Sequence, residues 1–160
     1  TRVREKIEYL LKNSYLIPNH KLILSFGEID CRVHVKRQSE LQSKSISDIL
    51  DDIVNNYEKL IKYLISKNFE IILYGSPGQQ SDAVPIDPVY PRYGSEEERN
   101  KIAEEYNSKL QLLAEKLGLK YFSMYEETTE NYKTKIEYYR DGVHLGDYVY
   151  KDLMEKVKKL

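Results

Sequence analysis

The sequence predicts an α/β fold, a parallel sheet with helices packed on both faces. Two observations carry that expectation. Three short, nearly continuous apolar runs, at 21–26, 69–74 and 119–124, have the composition of strands covered on both sides. They alternate with longer segments whose apolar residues recur every 3.6 residues, so the order is α-β-α-β-α-β-α. Strands joined by helical crossovers of this size lie parallel, and the crossovers are right-handed. A chain of 160 residues is long enough to bury a real core, and residues 1–160 are expected to form one domain.

The first helix is predicted over Val3–Asn13, with Val3, Ile7, Leu10 and Leu11 on one face and Arg4, Glu5, Glu8 and Lys12 opposite. The first strand, Lys21–Phe26, breaks at Gly27, and Arg32–Lys44 then reads as a polar connection longer than most βα loops. Ser45 and Asp48 have the spacing of a capping box, opening a helix that buries Ile49, Leu50, Ile53, Tyr57 and Ile61 and that Asn68 closes. The second strand, Phe69–Tyr74, empties into a loop that runs through Pro85, Pro88 and Pro91 to Gly94. Ser95 and Glu98 form a second capping box, and Gly118 is the left-handed stop of the helix they begin. Leu119–Met124 is the third strand. A tyrosine-rich irregular segment, Tyr125–Arg140, leads to a tight turn at Asp141–Gly146 and a last helix that Asp147 is expected to cap.

Three parallel strands make a thin sheet, since such sheets usually have about five and exposed edges need cover. Together with Thr1 in place of an initiator Met, this predicts that further chain, roughly 40–60 residues forming two strands and a helix, completes the domain at its N-terminal side. Lys21–Phe26 would then be a central strand.

Composition excludes several classes. Twenty-five basic residues against 26 acidic ones leave no single-sign field to attract nucleic acid or an anionic membrane. No apolar run reaches the ~18 residues of a membrane span, and no signal-peptide pattern opens the chain, which is therefore expected in the cytoplasm. The single cysteine, Cys31, excludes an internal disulfide framework, and no zinc-ligand spacing is present.

The chemistry-bearing residues gather at two places. After the first strand, Gly27 is followed by Glu28, Asp30, Arg32 and His34, a knot of charges where open α/β sheets build their sites. Glu28 and Asp30 can be read as an ion pair with Arg32 or as a metal pair, but no third ligand at a typical spacing supports a metal. Before the last helix, Asp141-Gly142-Val143-His144 places a carboxylate three residues from an imidazole, so that His144 can take a proton while Asp141 orients its ring. The alternative is that Asp141 makes an Asx turn and His144 merely packs. Two nucleophiles are available within the chain. Ser76 lacks a Gly-x-Ser-x-Gly elbow, and its Gly-Ser-Pro-Gly setting usually just turns. Cys31 lies beside Arg32, which favours a thiolate, although a lone cysteine is more often an inert packed residue.

Element order and both clusters resemble the SGNH (GDSL-type) hydrolases. The family's Gly-x-Asn-Asp block at a strand end is matched by Gly27-Glu28-Ile29-Asp30, and its Asp-x-x-His block by Asp141-Gly142-Val143-His144. The match is closest to a subgroup with the string GEIDCRxH, associated with bacterial surface polysaccharides; Pro91-Arg92-Tyr93-Gly94, Glu98-Arg99 and Tyr106-Asn107 also resemble it. The resemblance implies a flavodoxin-like three-layer α/β/α sandwich and a serine esterase, lipase or carbohydrate deacetylase. It makes His144 the general base and Asp141 its orienter, and it places Gly27, Glu28, Asp30, Arg32 and His34 at the substrate and oxyanion rim. The implied substrate is a small-molecule or glycan ester, hydrolysed or transferred as an acyl group, with no cofactor and no metal. Tyr90, Tyr93, Tyr138 and Tyr139 are expected either to stack on sugar rings or to cover the sheet.

Two departures qualify these implications. The block that supplies the nucleophilic serine and the block with the oxyanion glycine are absent, which places the serine upstream of Thr1. The oxyanion Asn is replaced by Ile29, whose side chain donates no hydrogen bond; loss of such a donor costs about 3–4 kcal/mol unless Arg32 or His34 takes its place. The rival expectation is an inactive binding module that keeps the fold without a working triad.

Overall fold

Strand register determines where the site falls. The computed structural model describes residues 2–13, 15 and 17–160, with side chains from Glu5 onward; the places expected for the Val3 and Arg4 side chains lie outside the described residues. Strands β1 (Lys21–Ser25), β2 (Glu70–Tyr74) and β3 (Lys120–Phe122) form a parallel sheet in the order β1-β2-β3. Ser25 lies opposite Tyr74, and Tyr74 opposite Phe122, so all three strands end at one level and their following loops open along a single edge.

Parallel pairing puts partners on the same face. Leu22, Leu24, Ile71 and Leu73 share one core with Ile7 of helix α1 (Arg2–Lys12) and with helices α3 (Ile46–Ile65) and α4 (Glu96–Leu117). Both long helices start at the predicted capping boxes, where the Ser45 and Ser95 hydroxyls accept from the Asp48 and Glu98 amides and the acidic side chains bond back to the serines' N–H groups. Gly118 ends α4 in the left-handed conformation at φ 65°, whereas α3 is capped at Ser66, two residues before Asn68. The opposite face carries Ile72, Tyr74 and Phe122, the last two rings stacked at 4.8 Å. Tyr139 lies within electrostatic reach of Tyr74.

Among the described residues β1 pairs with β2 alone, and Ile23 is 47% exposed while Ile71, Ile72 and Leu73 of β2 are buried. Two expectations are corrected. The polar connection Arg32–Lys44 is helical. A π-helical turn over Asp30–His34 runs directly into α2 (Val35–Gln42), because Cys31, Arg32, Val33 and Val35 all point inward although most of their neighbours are polar. Finally, Asp147 does not cap the last helix; it begins a 3₁₀ turn, Asp147–Val149, whose N-terminus has no side-chain cap and which leads into α6 (Tyr150–Lys158).

The segment after β3 is short-range structure. It comprises one helical turn, α5 (Tyr125–Thr128), a two-residue antiparallel pair, β4 (Thr129–Glu130) and β5 (Lys133–Thr134), and a 3₁₀ turn at Ile136–Tyr138. Among the described residues no helix is long and apolar enough to cross a membrane.

Candidate active site

The first cluster is built by the turn that ends β1. Gly27 adopts φ +100°, and a Cβ there would stand 2.4 Å from Tyr106 Cζ, so only glycine lets the chain turn under that ring. The Tyr106 hydroxyl donates to the Phe26 carbonyl at 2.9 Å, locking the approach. One π-helical turn later Arg32 is 2% exposed, with Nε and Nη2 on the Glu28 carboxylate at 2.6 and 3.4 Å and Nη1 donating to the Pro91 carbonyl. Asp30, half-buried, has its carboxyl pKa raised by burial, which the nearby His34 only partly offsets. The His34 side chain is exposed, at the end of the π-helical turn, and Ile29 is 48% exposed.

The loop between β2 and α4 is held from several sides. Asn107 brackets Ser76, accepting from its N–H and donating to its carbonyl, both at 2.8 Å. Arg99, fully buried, donates to the Gln80 carbonyl at 2.6 Å, to the Asp82 carboxylate at 2.7 Å and to the Gly94 carbonyl. Arg92 donates to the carbonyls of Ser81 and Val84 at 2.7 and 2.8 Å. With Arg32 on Pro91, three guanidinium groups grip this Pro-rich excursion by its own carbonyls, each an oxygen that an irregular buried loop would otherwise leave unpaired.

The second cluster is the turn Asp141–His144. Asp141 Oδ1 accepts from the N–H groups of Val143 at 3.0 Å and His144 at 2.8 Å, and Oδ2 lies 2.7 Å from His144 Nδ1. The His144 amide foremost, helped by its ring and the Val143 amide, holds the Asp141 pKa down at about 2, against the opposing effect of burial. A carboxylate ionised at neutral pH only accepts, so Nδ1 carries the proton and Nε2 presents a lone pair. The Arg140 amide closes the turn on the His144 carbonyl at 2.8 Å. Gly142 has φ +82°, and its missing side chain leaves room for Val84, whose Cγ1 would be 2.7 Å from a Cβ. The Tyr90 ring meets the His144 ring edge to face at 5.1 Å.

The clusters Glu28/Arg32 and Asp141/His144 are thus each assembled, and no hydrogen bond, ion pair or ring contact joins one directly to the other among the described residues. They communicate through the Pro-rich loop, and Glu28 also lies within electrostatic reach of the buried Tyr139. Each Arg32 nitrogen is already bonded to Glu28 or Pro91 and the side chain is buried, which leaves the exposed His34 as the freer of the two groups expected to replace the oxyanion Asn. Of the tyrosines, Tyr139 is buried with its hydroxyl on the Gly78 carbonyl, and Tyr93 donates to Glu40. Neither internal nucleophile is available. Ser76 is 2% exposed with its hydroxyl accepting from Gln79 Nε2 at 2.8 Å, and the Cys31 thiol is pushed well up by burial and then by Asp30 and Glu28, so it stays protonated. Among the described residues no three His, Cys, Asp or Glu side chains converge as a metal would require.

No family model and no curated protein matches the chain. Solved structures do. A candidate acylhydrolase of Bacteroides fragilis superposes with a TM-score of 0.59 at 15% identity, covering 96% of this chain and 65% of its own. A Streptococcus pneumoniae protein, described as a candidate platelet activating factor, gives 0.60 at 18% identity and covers 99% of this chain and 90% of its own. At these identities the likeness establishes the α/β fold alone. The chain spans about two-thirds of the length of the first of these proteins.

Proposed function

We propose that this protein is an SGNH-like ester hydrolase or O-acyltransferase acting on an acylated carbohydrate, with acetyl as the acyl group. One observation carries the reading: His144 Nδ1 lies 2.7 Å from a carboxylate that two backbone amides keep ionised, leaving Nε2 as a base at the solvent-facing mouth of the turn. In this mechanism Nε2 removes the proton of a serine hydroxyl as the oxygen attacks the acyl carbonyl. Asp141 stabilises the imidazolium that results, and His144 then returns the proton to the departing sugar oxygen.

The serine comes from outside residues 1–160. The burial of Ser76 and Cys31 supports this. The Bacteroides protein, described as an acylhydrolase, supports the hydrolase reading. His34 and backbone amides of the β1 turn serve as oxyanion donors in place of Ile29. Acetyl-ester hydrolysis by the full-length protein tests the proposal, with p-nitrophenyl acetate and an acetylated oligosaccharide as substrates. His34→Ala is expected to lower kcat by on the order of 10²-fold, and an unchanged rate removes His34 from the mechanism.

The inactive binding module is favoured by one observation, the exposed Ile29 where a donor belongs. Binding of the acetylated oligosaccharide with no turnover by the full-length protein establishes it instead.

A further inference from the structure

The His144 ring is held by a single hydrogen bond on a surface turn, with 57% of the side chain exposed. One bond at Nδ1 fixes a distance but leaves the ring free to tilt, and a base whose Nε2 must face a hydroxyl within about 3 Å tolerates little tilt. The second constraint on the ring is Tyr90, edge to face at 5.1 Å.

Tyr90 is itself fixed from both sides. Upstream, its N–H donates to the Asp87 carbonyl at 2.9 Å, and the Asp87 carboxylate accepts from Val89 N–H at 2.8 Å. Downstream, the Pro91 carbonyl accepts from Arg32 Nη1, and the Arg32 carbonyl accepts from Tyr93 N–H at 3.0 Å. Arg32 in turn is 2% exposed and oriented by Glu28. An unbroken series of contacts therefore runs from the charged turn after β1, through the Pro-rich loop, to the imidazole.

We infer that Tyr90 is a positioning residue for His144, and that the Glu28–Arg32 pair sets it through the Pro91 carbonyl. The inference rests on the esterase reading for its kinetic consequence but not for its structural one. It assigns the buried guanidinium, each of whose nitrogens already bonds Glu28 or Pro91, a task different from oxyanion stabilisation. Glu28 and Arg32 shape the site by fixing the loop that steadies the base.

The test pairs a spectroscopic with a kinetic readout in the full-length protein. The Tyr90 ring, 5.1 Å from the His144 ring, is expected to displace the His144 ring-proton resonances, and His20, outside the site, serves as internal reference. Tyr90→Leu is expected to abolish that displacement and to lower kcat for acetyl-ester hydrolysis by about 3- to 10-fold with KM unchanged. Tyr90→Phe, which keeps the ring, is expected to restore both. Arg32→Met, or the milder Glu28→Gln if the first does not fold, is expected to shift the His144 signals in the same direction although neither residue touches the ring. The inference is overturned if Tyr90→Leu leaves the His144 resonances at their wild-type positions, or if Tyr90→Phe fails to restore them. A wild-type protein that shows the displaced resonances yet hydrolyses no acyl ester overturns the esterase reading and leaves the positioning contact established.

Discussion

Asp141 performs two tasks with two oxygens: Oδ1 organises the turn through the Val143 and His144 amides, and Oδ2 orients the imidazole. Asp141→Asn separates them. An amide oxygen still accepts from the backbone, but an NH₂ facing Nδ1 demands the other tautomer and protonates Nε2. The turn is expected to survive while kcat falls on the order of 10⁴-fold, which steady-state kinetics beside a crystal structure of the variant would check. The pH dependence follows from the same group. Its folded pKa, about 2, lies below the ordinary 3.8, so its contribution to stability is fully present above pH 3.8 and is lost as pH falls through about 2. The Val143 and His144 amide resonances are therefore expected to titrate near pH 2, and a midpoint near 3.8 contradicts the geometry. Gly27→Ala makes a different demand, placing a methyl at φ +100° against the Tyr106 ring; a destabilisation of about 2–4 kcal/mol in chemical denaturation is expected. Asp141, His144 and Gly27 were legible in the sequence because each signal lies within a four-residue window. Tyr90 was visible only as one loop tyrosine among several, since its partner ring lies far along the chain and no local pattern pairs them.

Among the elements, the two capping boxes illustrate what short-range chemistry makes readable. Ser95 and Glu98 satisfy each other's orphan amide donors at the head of α4, the helix that also carries Arg99, Asn100, Tyr106 and Asn107 into the site's foundations. Ser95→Ala is expected to cost about 1 kcal/mol by thermal or urea denaturation, with no change in the His144 ring geometry. Helix α2 shows the opposite case. Its sequence is mostly polar because only one narrow stripe touches the core, so propensity pointed to a loop where burial of Val33 and Val35 makes a helix. The π-helical turn before it was illegible for a related reason: it follows from the need to turn Arg32 inward toward Glu28 and Pro91, a tertiary demand with no sequence period of its own.

For the whole molecule, alternation of apolar runs and helical periods was enough to establish a parallel α/β sheet, and the register brings all three strand ends to one level. The β1 run Leu22-Ile23-Leu24 has the composition of a central strand, and among the described residues Ile23 is 47% exposed on a strand whose outer edge has no partner. Beside that edge, Phe26, Asp30, Tyr57 and Tyr106 line a cavity of about 520 Å³. Composition records the burial a strand was selected for, whereas exposure records the neighbours present among these residues. The central claim of the proposed mechanism is that His144, oriented by Asp141, is the general base of ester hydrolysis. Hydrolysis of an acetyl ester by the full-length protein, compared with its His144→Ala variant, tests that claim most directly. The account predicts a loss of at least about 10³-fold in kcat, and equal rates in the two proteins would contradict it.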